Sequence, residues 1–154
     1  MKRNIIIVAA TIAALSLSSC GPKKGPAAGA TATAPVEVEV LAPDLCPRYV
    51  GHYVENATGG ETPAWMRKRL AISGIRSISP IVDITNFVLL EMGQPMHAFD
   101  ADDIAGGKII VHRAENGEKI TTLDEKEFEL NKDTLVICDK DKPVALAGIM
   151  GGLN

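Results

Sequence analysis

The stretch Gly21 to Pro35, GPKKGPAAGATATAP, constrains this chain more than any other. It contains only small residues, Gly, Pro and two Lys, so it offers no large apolar side chain to a core and reads as a flexible tether. A folded body must therefore be built from what lies outside it, chiefly residues 36–154. The charges divide at the same place. Of the 16 basic residues, only Lys2, Arg3, Lys23 and Lys24 precede Val36, and all 19 acidic residues follow it. The body is acidic, which excludes a protein uniformly coated with positive charge for nucleic acid, although not a local basic patch. With 46% hydrophobic and 23% charged residues, wholesale disorder is excluded as well.

Ahead of the tether, Met1-Lys2-Arg3-Asn4 is a short positive segment and Ile5 to Leu17 is an uncharged apolar run. The run is too short for a comfortable helical span, which needs about 20 residues, and it has the length of a signal-peptide core. It ends in Leu17-Ser18-Ser19-Cys20-Gly21, which resembles the lipobox of bacterial lipoproteins. The resemblance implies acyl chains on Cys20 as a membrane anchor. A buried N-terminal strand or helix is the other reading of the same residues. Signal, Cys, tether and the strand-like start at Val36 together resemble a periplasmic adaptor lipoprotein of an efflux pump. The organisation read from the chain is 1–20 signal peptide, 21–35 tether and 36–154 folded domain.

Within the body, Val36-Glu37-Val38-Glu39-Val40 alternates as a half-buried strand should, and Arg48 to Val54 is a second strand candidate. Thr62-Pro63 and Ser79-Pro80 each read as an N-cap followed by Pro at the first helical position. The two helices they open stop at Gly74 and Gly93. After Ala101 the pattern becomes β: Lys108–Arg113, Lys119–Leu123, Glu127–Leu130, Thr134–Cys138 and Val144–Ile149, separated by turn residues. The fold class expected is α+β, with two short helices packed on mixed and antiparallel sheets in a layered β/β/α arrangement. Cys46 and Cys138 form no C-x-x-C pair, so a structural zinc site is not expected, and two semi-buried thiols are favoured over a disulfide.

The segment from Pro80 to Asp100, PIVDITNFVLLEMGQPMHAFD, closely resembles the editing module (B-three/B-four domain) of the bacterial phenylalanyl-tRNA synthetase beta chain. Ala42-Pro43-Asp44-Leu45-Cys46-Pro47-Arg48-Tyr49, Pro63-Ala64-Trp65-Met66-Arg67, Gly74-Ile75-Arg76, Gly106-Gly107, Asp133 to Ile137 and Ala145 to Gly152 resemble further blocks of that module, in order. The resemblance runs from about Leu41 to the C-terminus. It implies hydrolysis of tyrosine wrongly attached to the phenylalanine tRNA. A pocket built for phenylalanine rejects an added hydroxyl weakly, so a second site supplies the discrimination.

By this resemblance Arg76, Pro95, His97 and Gly151 fall on the wall of the editing pocket. His97 is the candidate catalytic residue, orienting the ester or its attacking water as a neutral imidazole. Arg76 is placed to meet phosphate or a carbonyl, and Gly151-Gly152 to let backbone approach the substrate. The family's module continues past the point matched by Asn154, with an acidic residue and a small-residue segment that complete the pocket. The expectation is an incomplete module, inactive alone. The parent enzyme's ATP and magnesium belong to the alpha chain, so no cofactor or metal is expected here. The partner implied is tRNA, with the alpha-chain interface absent.

Other features read more blandly. Asp100, Asp102 and Asp103 suit a solvated turn better than a metal site. Arg67-Lys68-Arg69 with Arg76 fits a tRNA-facing patch or a solvated helix face. Only six aromatic residues exist, little material for base stacking. The hairpin tip Asp124-Glu125-Lys126 departs from the resemblance: it lacks the Gly the family usually has there, which removes an easy left-handed position. The competing functions are a membrane-anchored envelope lipoprotein, or a chimeric gene product without a catalytic role. They differ in compartment: the signal implies the envelope, whereas the synthetase family works in the cytoplasm.

Overall fold

A computed structural model describes residues 2–11 and 36–153. The described residues form three sheets and two α-helices: β1 (Lys2–Thr11), β2 (Glu37–Val40), β3 (Arg48–Thr58), α1 (Ala64–Ile72), α2 (Pro80–Met92), β4 (Met96–Asp100), β5 (Lys108–Arg113), β6 (Lys119–Thr121), β7 (Glu127–Glu129), β8 (Leu135–Cys138), β9 (Pro143–Leu146) and β10 (Met150–Gly151). The first sheet has the order β3-β1-β4, the second β10-β9-β8-β5-β2, and β6 pairs with β7 alone. Among the described residues only β2 with β5 is parallel. This is the α+β class with mixed and antiparallel sheets.

The first two sheets share one core. Ile6 and Val8 of β1, Tyr49 of β3 and Phe99 of β4 meet Ile109 and Val111 of β5, Ile137 of β8 and Val144 of β9. Val36 and Cys46 join them. The strand period of two explains who faces whom. On β8, Ile137 enters this core, while Val136 and Cys138 face a second cluster with Ile120, Leu130 and Leu146 beneath the β6–β7 hairpin. The second sheet is thus covered on both faces, which is why β8 is apolar throughout. Gly51 allows the two sheets to approach closely: a Cβ there would lie 2.8 Å from Val38 Cγ2.

Several expectations need correction. The strands at Val36–Val40 and Arg48–Val54 do form, but they lie in different sheets and do not pair with each other. Met96–Asp100, within the block that carries the resemblance, is a strand. Thr62 is not the cap of α1. Pro63 holds that position, and the Thr62 hydroxyl instead donates to Asp83. For α2 the expected signals operate: the Ser79 side chain accepts from the Val82 N–H at 3.4 Å, Pro80 opens the helix, and Gly93 closes it at φ 67°. Lys2–Thr11, part of the segment read from sequence as an export signal, forms the central strand of the first sheet, which leaves that reading untested. The remainder of that assignment, including Cys20 and the tether, lies outside the described residues. No helix among the described residues is long and apolar enough to cross a membrane.

Asp83 ties the helices together. It is fully buried and accepts from Thr62 Oγ1, from Ser77 Oγ at 2.5 Å and from the Ile78 N–H at 2.9 Å. One carboxylate thus satisfies the segment before α1, the connection after it and the start of α2. Burial pushes its pKa up. The hydrogen bonds from Ser77, Thr62 and Ile78, helped by Arg67, outweigh burial and hold it below 3.8.

Candidate functional site: the His97–Gly151 corner

The left-handed cap at Gly93 turns the chain out of α2, and Gln94-Pro95 delivers it into β4. His97 and Phe99 then share one face of the strand, with ring centroids 4.5 Å apart at 62°. Phe99 is buried in the core and anchors the strand, so the His97 ring is held at the margin of the sheet. On the other side of β4, His97 sits opposite Val8 of β1 in the pairing register.

The second wall comes from the other end of the fold. Gly151 pairs with Ala145 of β9. The Leu123 N–H donates to Gly151 O at 3.0 Å, and the Gly152 N–H donates to Val144 O at 2.7 Å. These bonds clamp the Gly-Gly pair between the hairpin and the second sheet. A Cβ on Gly151 would stand 3.0 Å from His97 Cε1, 3.4 Å from His97 Nε2 and 3.1 Å from Leu123 Cδ1. A Cβ on Gly152 would stand 2.8 Å from Val144 O. Gly152 therefore requires glycine for space, whereas a Cβ on Gly151 would fit only if the His97 ring or Leu123 gave way by a few tenths of an ångström; as glycine it leaves bare backbone against an imidazole edge.

Burial lowers the His97 pKa below 6.5, so the ring is neutral at pH 7 and can donate through one nitrogen and accept through the other. Among the described residues neither ring nitrogen has a hydrogen-bond partner. The corner offers a polar ring, backbone amide groups and the apolar side chain of Leu123.

Of the residues picked out from sequence, the structure brings His97 and Gly151 together. Pro95 is half-buried, two residues before His97, and shapes the turn into β4. Arg76 is exposed in the α1–α2 connection, and no hydrogen bond or ion pair among the described residues links it to His97 or Gly151. The basic run on α1 is divided: Arg69 lies over the rings of Trp65 and Phe87, at 5.6 and 5.9 Å, and Arg67 acts on Asp83. Asp100 accepts from the Asp102 N–H at 3.2 Å and pairs with Arg3, so this acidic trio serves a turn and an ion pair.

Sequence reasoning missed Leu123, which has no signal beyond its place at the end of an apolar alternation. It also missed a Cys–His contact. His112 Nδ1 lies 2.6 Å from Arg113 O, and Nε2 lies 3.1 Å from Cys138 Sγ. A carbonyl only accepts, so Nδ1 carries the proton and Nε2 accepts from the thiol. Burial, with help from Glu118 and Asp139, pushes the Cys138 pKa up to about 12. It stays a thiol and is not a nucleophile at neutral pH.

Two facing sheets, a pair of helices and a histidine set against a Gly-Gly corner define an α+β module. Residues 45–154 match the family model described as the B3/4 domain, and the chain belongs to that family. Its relatives include the phenylalanine–tRNA ligase beta subunits of Syntrophus aciditrophicus, 55% identical over 117 residues, and of Carboxydothermus hydrogenoformans, 54% identical over 120 residues. That of Vibrio parahaemolyticus is 59% identical over 118 residues. These matches cover 76%, 78% and 76% of this chain and 15% of each relative. The chain thus spans about 15% of the length of the curated relatives it matches.

Proposed function

We propose that the His97–Gly151 corner holds the aminoacyl end of a mischarged tRNA, as part of the tyrosine-editing site of a phenylalanine–tRNA ligase beta subunit. The observation that carries this reading is the neutral imidazole set edge-on against the bare backbone of Gly151, a position where a Cβ would crowd the ring. An ester carbonyl or the tyrosyl amine needs a neutral polar partner in such a place, and bare backbone can approach it closely. Arg76, exposed and unengaged with the corner, is the candidate phosphate contact.

The chain's own role is to hold the substrate rather than to turn it over rapidly. An imidazole acting as general base gains from a partner that fixes its tautomer, and among the described residues His97 has none. Deacylation of tyrosyl-tRNA by the full chain tests both halves of the reading. Binding with turnover little above spontaneous hydrolysis is expected, and Gly151→Ala should abolish the binding. Rapid turnover lost in His97→Ala would overturn the holding role. Neither binding nor turnover would overturn the editing assignment.

A further inference from the structure

The family-matched region, residues 45–154, supplies β3 and β4 but not the strand between them. That strand is β1, residues 2–11, which lies wholly outside the match. It is antiparallel to both neighbours. Its register runs from Lys2 opposite Thr58 to Thr11 opposite Arg48 on one side, and from Ile5 opposite Asp100 to Ala9 opposite Met96 on the other. Ile6 and Val8 enter the shared core at 1% and 2% exposure, and Ile5 is buried as well. Arg3 pairs with Asp100 at the mouth of the slot, and the Asn4 side chain accepts from the Asn56 N–H at 3.1 Å.

We propose that the groove between β3 and β4 is a strand-acceptor site, filled in cis by the chain's own N-terminal residues 2–11. Its recognition chemistry is that of strand addition: two rows of backbone hydrogen bonds give affinity. The pockets for the alternate apolar side chains Ile6 and Val8 give register. Asp100 selects a cation at the start of the incoming segment. The ligand class is an extended apolar peptide with a basic N-terminal end. The same chemistry describes an export-signal core, so insertion into the groove and presentation as a signal are mutually exclusive states of one segment. Because β1 lies against His97 through Val8, occupancy of the groove also positions β4 and the His97 ring.

The test starts from the full chain, folded intact, with a site-specific protease sequence placed within residues 26–33. After cleavage, native mass spectrometry and gel filtration should show the N-terminal fragment still bound to the body as a one-to-one complex. A labelled peptide of residues 1–12 in excess should exchange into it, and the same peptide carrying Ile6→Asp and Val8→Asp should not. In uncut protein, hydrogen exchange should find the alternate amides of β3 and β4 that point at β1 protected, and Ile6→Asp with Val8→Asp should expose them. A fragment that separates from the body after cleavage would overturn the proposal. So would equal exchange of the Asp-bearing peptide, or β3 and β4 protection unchanged in the double variant. A strand-exchanged dimer of the uncut chain would place the occupant in a second copy and overturn the assignment in cis.

Discussion

His97 Cε1 lies 3.0 Å from the point where a Cβ on Gly151 would stand, although 53 positions of chain separate the two residues. The first sheet brings one wall and the hairpin-clamped end of the second sheet brings the other. A methyl group at Gly151 meets both His97 and Leu123. Gly151→Ala should cost about 1–3 kcal/mol through overpacking and should displace the His97 ring, seen as a shifted Cε1 proton resonance. Thermal unfolding together with the NMR spectrum checks this, and an unshifted ring would show that the corner has slack.

The carboxylate of Asp83 holds the helical layer to its neighbours. Asp83→Asn exchanges charged hydrogen bonds for weaker neutral ones and mismatches one of the donors. The loss expected is about 1.5–3 kcal/mol, the range for hydrogen bonds to a charged group. The folded pKa is depressed, so the contribution is fully present above the unfolded value near 3.8 and is lost as pH falls through the lower folded value. Wild-type stability should therefore drop below pH 3.8, and the Asn variant should drop less there. Urea titrations from pH 2.5 to 6 give the comparison.

Tyr49 is buried at 8% exposure, and its hydroxyl has no hydrogen-bond partner among the described residues. Burial pushes its pKa well above the usual phenol value. Removing an unpaired buried hydroxyl recovers its desolvation cost. Tyr49→Phe should be neutral to stabilising, by up to about 1 kcal/mol. Destabilisation beyond that, measured by chemical denaturation, would mean the hydroxyl is bonded.

At the hairpin tip Glu125 adopts φ 62°, a left-handed conformation that costs a non-glycine residue about 1 kcal/mol. Glu125→Gly relieves that strain but loosens the unfolded chain. A net gain of about 0.5 kcal/mol is expected, seen as a raised melting temperature with no change at the His97 corner.

The parts of the fold set by local chemistry were legible in the sequence. Ser79-Pro80 and Gly93 bound a helix because the cap, the fixed φ and the left-handed stop are properties of those residues themselves. Lys108–Arg113 reads as a strand from its alternation and is one. What was not legible depends on partners distant in sequence. Thr62-Pro63 carries the same start signal as Ser79-Pro80, yet the Thr62 hydroxyl is drawn to Asp83, a more favourable acceptor. Lys2–Thr11 is apolar enough for a signal core and for a central strand, and only the groove between β3 and β4 distinguishes them. For the site, a histidine and two glycines could be named from the resemblance. That Leu123 closes the corner, and that Arg76 stands apart from it, needed the fold.

The most direct test of the His97–Gly151 assignment is an NMR titration of the full chain. The ligand is a non-hydrolysable analogue of the tRNA end, 3′-tyrosylamino-3′-deoxyadenosine. The free His97 ring should titrate below pH 6.5, because burial disfavours its charged form. The analogue should shift the His97 Cε1 proton in wild type and leave it unmoved in Gly151→Ala. A His97 resonance indifferent to saturating analogue, or one that responds equally in Gly151→Ala, would contradict the assignment.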